Sequence, residues 1–449
     1  MRFGIFFLII FHVLLLSTGN LTEQRYEATW KSLDQRPLPS WYDDAKIGIF
    51  LHWGVYSVPS FHSEWFWFDW KNQSLPDVMK FMNENYPSNF AYADFASQFK
   101  AELWNPEHWA ELFTRSGAKY IVLTSKHHDG YALWPSSYSF NWNSMDVGPK
   151  RDLVGDLSKA IRAQGLHFGL YHSLFEWYNP LYLDDEKNNF TTDRFVKQKV
   201  IPEMLELVKK YQPEIIWSDG DWGGNSTYWK SKEFLAWLFN YSPNCKTVVV
   251  NDRWGSDANC KHGSFLNCMD RYDPKVPPTK KWENAMTIDR KSWGWRREAT
   301  IEDFYKFDEL LKLLIQTIAR GGNLLLNIGP KSDGTISPLF EERLTQLGEW
   351  LQYKGKAIYP TSPGPYNDDK ISTTKTNNST FVFVLNKQWN NQNKLTLNSN
   401  IFKQHFNEIR LLNNRYEKLS YKKDKDYIII QLPSYIDEEI IPIIEVFNK

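Results

Sequence analysis

The chain has 449 residues, 53 of them basic and 53 acidic, for a formal net charge of +0. That length exceeds one ordinary domain and accommodates a barrel of about 250 residues or more with an appendage. Balanced charge without like-charge runs lacks the basic footprint of a nucleic-acid binder, so no nucleic-acid partner is expected.

At the N-terminus, Arg2 precedes a mostly apolar run from Ile5 to Leu16, followed by Ser17, Thr18 and Gly19. A run this short reads as a secretory signal peptide over residues 1–19, not a membrane span. No other stretch is apolar enough to cross a bilayer, so a soluble mature protein without membrane insertion is expected. Asn20, Asn72, Asn189, Asn225, Asn240, Asn377 and Asn378 each open an Asn-X-Ser/Thr triplet, the acceptor pattern for glycosylation. Leader and sequons together point to the secretory pathway, with a lysosomal or extracellular destination.

From about residue 45 to 330, short apolar runs alternate with helix-like segments. The strand candidates are Ile47–Leu51, Tyr120–Thr124, Leu166–Tyr171, Glu214–Trp217, Thr247–Val250, Phe265–Met269, Ala285–Ile288 and Asn323–Asn327. Between them, Pro106–Ser116, Leu153–Gln164, Arg194–Tyr211, Lys230–Phe239 and Phe304–Ala319 repeat apolar residues at helical spacing. Interleaved strands and helices in this number predict an α/β fold, a (β/α)8-like barrel spanning residues 20–358. Between Val250 and Ile288 the connections are rich in Gly, Pro and Asn and too short for full helices, so the barrel should be irregular. After the helical stretch Pro338–Tyr353, a Pro- and Gly-containing linker leads into short strands separated by polar turns, predicting a small all-β sandwich over 366–449.

The three cysteines, Cys245, Cys260 and Cys268, leave at least one thiol without an intramolecular partner. Cys260 with Cys268 is one candidate pair. No Cys-X-X-Cys or finger-spaced His supports zinc.

Barrel enzymes carry their chemistry at the C-terminal ends of the strands. Here those ends read His52-Trp53-Gly54, Lys126-His127-His128-Asp129-Gly130, Tyr171-His172, Trp217-Ser218-Asp219-Gly220-Asp221, Asn251-Asp252-Arg253-Trp254, Met269-Asp270-Arg271 and Asn327. One such His is usually structural, but repeated delivery of polar groups to one rim is hard to explain as packing. Two carboxylates among His, Arg, Tyr and Trp suit glycoside hydrolysis. The candidates are Asp219, Asp221, Asp270, Glu283 and Glu64, with Asp219 ranked first for following an apolar strand directly. Aromatic residues make up 16% of the chain and cluster beside acids, as in Glu64-Trp65-Phe66-Trp67, which suits sugar faces as well as a core. The rival reading is a metal held by His52, His127, His128 and Asp129. Adjacent strand residues point to opposite faces, so one His of the pair would have to leave the strand. No dinucleotide or phosphate loop follows a strand and no Gly-X-Ser-X-Gly elbow occurs, so neither cofactor nor metal is expected.

At these positions the sequence closely resembles the α-L-fucosidases of glycoside hydrolase family 29, especially the animal enzymes. The matching stretches are Trp41 through Gly54, Ser63-Glu64-Trp65-Phe66, Thr124 through Gly130, Trp217-Ser218-Asp219-Gly220, Asn251 through Trp254, Lys281-Trp282-Glu283 and Gly321 through Pro330. The resemblance implies a retaining exo-hydrolase of terminal α-L-fucose on glycoproteins, glycolipids or oligosaccharides, working without a cofactor. It carries the nucleophile onto Asp219 and the sugar pocket onto His52, His127, His128, Tyr171 and Trp217, with Arg253, Glu64 and Trp65 beside them. Two residues match acid/base positions, Asp270 and Glu283. Asp270 is preferred because it ends an expected strand, whereas Glu283 precedes one. The family's signature usually has Cys where this chain has Ala285, so thiol chemistry there is dispensable or activity is altered. Fucosylated glycans are the implied partners, and a homo-oligomer is left open. A fucose-binding lectin with altered catalysis is the alternative, though a lectin needs no nucleophile.

Overall fold

The computed structural model describes residues 25–401 and 406–448, so the expected leader and Asn20 lie outside the described residues. Seven parallel strands form the first sheet: β1 (Ile47–Leu51), β2 (Tyr120–Lys126), β3 (His167–Ser173), β4 (Ile215–Asp219), β5 (Val249–Val250), β6 (Trp282–Thr287) and β7 (Gly322–Ile328). They run in the order β5-β4-β3-β2-β1-β7-β6, curled into an open barrel. Every residue of β1, β2, β4, β6 and β7 is buried, as expected of strands covered on both faces. The helices between them start where capping chemistry allows. Asn105 accepts from the His108 N–H at 2.9 Å ahead of Pro106–Arg115, and Asp152 accepts from the Gly155 N–H at 2.9 Å ahead of Leu153–Ala163.

The expected strand Phe265–Met269 does not form. Its place between β5 and β6 is filled by one extended step. Ser264 N–H donates to the Val250 carbonyl (2.8 Å), Leu266 N–H to that of Lys281 (2.8 Å), and Glu283 N–H to that of Leu266 (2.8 Å). Beyond Leu266 the Asp252 carboxylate captures the N–H groups of Asn267 and Cys268, each at 3.0 Å, so these cannot enter a ladder. The next strand starts earlier than expected, at Trp282, and so includes Glu283.

The C-terminal region is a sandwich of a five-stranded and a three-stranded antiparallel sheet. The expected linker is itself structured: its prolines Pro363 and Pro365 lie in Ser362–Asn367, an edge strand, where a missing N–H costs no ladder bond. Ser379–Val384 shows how the domain is attached. Val382 and Val384 face the sandwich core, while Phe381 and Phe383 join the barrel's main apolar cluster with Leu310, Leu314 and Ile318 of helix Phe307–Ala319. Alternate residues of one strand thus serve two cores. Among the described residues no helix is long and apolar enough to cross a membrane.

Candidate active site

A cavity of about 120 Å³ opens at the C-terminal rim of the barrel. That is well below the roughly 300 Å³ at which small-molecule pockets usually begin. Its lining contains Asp219, Asp270, His52, Glu64, Trp65, His127, His128, Tyr171, Trp217 and Arg253, together with Phe50, Trp222 and Trp293. The last three were not anticipated. Phe50 lies inside a strand and Trp222 and Trp293 follow no strand directly; only Trp222, next to the Asp219-Gly220-Asp221 run, had a sequence signal that could have found it.

Asp219 is the last residue of β4, and Ser173 of β3 is its register partner. Gly220 turns the chain at φ 71°, where a Cβ would stand 2.4 Å from the Phe175 ring. The Asp219 carboxylate accepts from Arg253 Nη1 (2.9 Å) and from the Tyr171 hydroxyl (2.8 Å). Burial penalises its charge, but the Arg253 guanidinium and these hydrogen bonds outweigh that and hold it below the usual carboxylate range. The other nitrogen of the same guanidinium, Arg253 Nη2, donates to Asp270 (2.6 Å) and Asn267 (2.5 Å). The two carboxylates differ in exposure, 11% for the Asp219 side chain against 55% for Asp270.

The histidines are acceptors. Asn327 spends its amide hydrogens on Thr287 Oγ1 (3.0 Å) and the Trp293 carbonyl (2.8 Å), so its oxygen receives the His52 Nδ1–H at 2.7 Å. Ser173 donates to the Phe175 carbonyl (2.7 Å) and therefore accepts from His128 Nδ1 at 2.7 Å. Burial lowers both imidazoles to about 4, so each is neutral with an unprotonated Nε2. His128 Nε2 lies 3.6 Å from Asp219 Oδ2. Two acceptors that close need a donor between them, and a ligand hydroxyl supplies one. His127 and His128 both lie beyond the end of β2 in a turn, so both reach the cavity. Glu64 Oε2 accepts from Ser292 Oγ (3.0 Å), Trp293 N–H (2.9 Å) and Gly294 N–H (3.1 Å), which sets the turn presenting Trp293.

Glu283 is not at this rim. It lies in the barrel interior, accepting from the hydroxyls of Tyr42 (2.7 Å) and Tyr120 (2.7 Å) and from Trp217 Nε1 (2.9 Å). Burial raises its pKa, against those donors. Ala285 packs in the same apolar cluster, with Phe50, Trp217 and Leu325, so the position serves packing in this chain. Asp221, whose carboxylate accepts from Gly255 N–H at 2.9 Å, does not line the cavity.

Cys260 and Cys268 form a disulfide, and Cys245 is free. Among the described residues the one metal-like grouping is Asp252 with these two cysteines, whose sulfurs are already joined. Of the sequon asparagines, Asn72, Asn189, Asn225, Asn377 and Asn378 are exposed. Asn240 is half-buried, its amide nitrogen donating to the carbonyls of Tyr26 (2.8 Å) and Ala236 (2.7 Å).

The chain is 57% identical over 392 residues to an alpha-L-fucosidase of Branchiostoma floridae, covering 86% of this chain and 87% of the relative. It is 49% identical over 414 residues to the plasma alpha-L-fucosidase of Homo sapiens, covering 91% and 89%. The solved Thermotoga maritima alpha-fucosidase in complex with fucose superposes with a TM-score of 0.80 at 34% identity, covering 94% of this chain and 100% of that one. Residues 13–356 match the alpha-L-fucosidase family model, and the chain belongs to that family.

Proposed function

We propose that the protein is a retaining exo-hydrolase of terminal α-L-fucosides, with Asp219 as nucleophile and Asp270 as acid/base. The observation that carries this reading is the Arg253 bridge, which binds both carboxylates on one guanidinium at the mouth of a small cavity. Neighbouring nitrogens of one planar group suit the short separation, about 5–5.5 Å, that retaining enzymes use. Burial and exposure then divide the labour. Asp219, buried and held ionised, attacks the anomeric carbon as the glycosidic C–O bond breaks and Asp270 protonates the departing oxygen. Water then attacks the fucosyl ester from the open side, passing its proton to Asp270 and releasing Asp219. His52 and His128 accept sugar hydroxyls, while Tyr171 and Arg253 steady the Asp219 charge.

Exo-action is the reading the small cavity favours, because a terminal sugar needs less room than an internal residue flanked by two linkages. Fucosylated glycans are the substrates this implies. The leader-like N-terminus, the exposed sequons and the tissue and plasma names of relatives support a lysosomal or secreted location. Glu283 has a weaker claim to acid/base because its oxygens are occupied by Tyr42, Tyr120 and Trp217. The test is kinetic. Asp270→Ala should lower kcat/KM on an α-fucosyl disaccharide by about 10²–10⁴-fold, spare an activated aryl fucoside, flatten the alkaline pH limb and yield α-fucosyl azide with azide. That pattern in Glu283→Ala instead would exchange the roles. Binding of fucose without turnover of the aryl fucoside would favour a lectin.

A further inference from the structure

Asp270 lies on no strand, so something other than a β-ladder must set where its carboxylate points. The stretch around it is conformationally costly: Cys260, Cys268 and Arg271 have φ of 58°, 57° and 56°. Side-chain-bearing residues stay in that region only where their surroundings enforce it.

Two groups do the enforcing. The buried Asp252 carboxylate accepts the Asn267 N–H on Oδ1 (3.0 Å) and those of Cys260 and Cys268 on Oδ2 (both 3.0 Å). The side chains of the same two cysteines are joined covalently. One carboxylate and one disulfide therefore close the neck of the 260–268 loop. The loop folds back tightly, since a Cβ at Gly263 (φ 132°) would stand 2.2 Å from the Asn251 carbonyl oxygen. Past the neck, Asn267 and Asp270 share Arg253 Nη2, and the Arg271 N–H donates to the Ala285 carbonyl at 3.0 Å. Asp270 is thus held between the neck on one side and β6 on the other. Neither Asp252 nor the cysteines line the cavity.

We propose that Asp252 and the Cys260–Cys268 disulfide form a clamp that positions the Asp270 carboxylate for proton transfer. This rests on Asp270 being the acid/base. The clamp residues are positioning residues, not catalytic ones. Losing the clamp therefore resembles losing the acid, weakened, because misplacing a proton donor by about 1 Å costs up to about 10²-fold.

The experiment compares Asp252→Asn and the Cys260→Ser/Cys268→Ser pair with Asp270→Ala, each on an α-fucosyl disaccharide and an activated aryl fucoside. Both clamp variants should lose about 10–100-fold in kcat/KM on the disaccharide and less than about threefold on the aryl fucoside. Their alkaline limb should flatten towards that of Asp270→Ala, and added azide should give α-fucosyl azide. Equal losses on both substrates with an unchanged pH profile would mean the loop only stabilises the fold, and the clamp is overturned. Should Asp252→Asn not fold, the serine pair, which removes only the covalent half, gives the same readouts. If Asp270→Ala shows the leaving-group pattern and neither clamp variant does, the clamp alone fails. If Asp270→Ala lacks the pattern, the assignment beneath it fails too.

Discussion

The cavity has two sides built by different means. On one, β1 to β4 deliver His52, Tyr171, Trp217 and Asp219 from a continuous parallel ladder whose registers bring Tyr171 beside Trp217 and Ser173 beside Asp219. On the other, Arg253 and Asp270 stand on 251–281, where β5 is two residues long and the next strand is replaced by a single extended step. A ladder positions side chains through main-chain bonds that tolerate most sequences. The irregular side relies on particular residues: Asp252, Asn267, the disulfide and Arg253. The proposed nucleophile, which must not move, is on the regular side. The proposed acid/base, which must meet a departing oxygen and then a water, is on the exposed, loop-built side.

Substitutions can sharpen that contrast. The largest effect is expected at Asp219: Asp219→Gly should lower turnover by roughly four to six orders of magnitude with the fold intact. Azide should partly restore it as β-fucosyl azide; near-normal activity without azide would refute the assignment. Next comes the contact where both cores meet. Phe383→Ala removes a fully buried ring from the barrel–sandwich junction and should cost about 3–5 kcal/mol by chemical denaturation. A loss below about 1 kcal/mol would mean the sandwich is only loosely joined.

A third test uses pH. In the proposed binding mode His52 and His128 must be neutral to accept sugar hydroxyls, and burial places both at about 4. Affinity for an uncharged fucose mimic should therefore hold down to about pH 5 and fall as pH drops through 4. A decline centred near 6.5 would show ordinary, solvated imidazoles. Asp221 supplies the opposite sign for stability. Burial, reinforced by the Asp219 charge, raises it from 3.8 to about 6, so the fold favours its protonated form. Stability from this group is present below about 4 and lost as pH rises through 6. Asp221→Asn should thus raise the melting temperature at pH 7 relative to pH 4, and no change in that difference would count against the shift.

The smallest effects are expected where neither side is touched. Asp437, exposed and paired with Lys387 (2.8 Å) and Trp389 (3.0 Å), belongs to the sandwich surface, and Asp437→Asn should leave fucoside turnover nearly normal. A large fall with unchanged melting would mean the sandwich supplies catalytic groups. Exhaustive chelation should likewise leave activity unaltered, because among the described residues the ligand atoms of His52, His127, His128 and Asp129 do not converge on one point. Loss on chelation, restored by zinc or manganese, would reinstate the metal reading of His127 and His128.

Local sequence determined what local physics controls. Apolar runs marked β1 to β4 and β7 because strands buried on both faces must be continuously apolar, and apolar residues at helical spacing marked the helices between them because one face of each must pack on the sheet. Polar residues following those strands marked the rim, and the motif matches carried the family. Other features needed the tertiary structure. Whether 265–269 forms a strand turned on Asp252, whose carboxylate takes the N–H groups a ladder would use. Pro363 and Pro365 looked like a linker because their tolerance in a sheet depends on being at its edge, a non-local property. The places of Glu283 and Asp270 were likewise undecided along the chain. Both are carboxylates near strand ends, and only folding puts one beneath Trp217 among tyrosine hydroxyls and the other on the guanidinium that also binds Asp219.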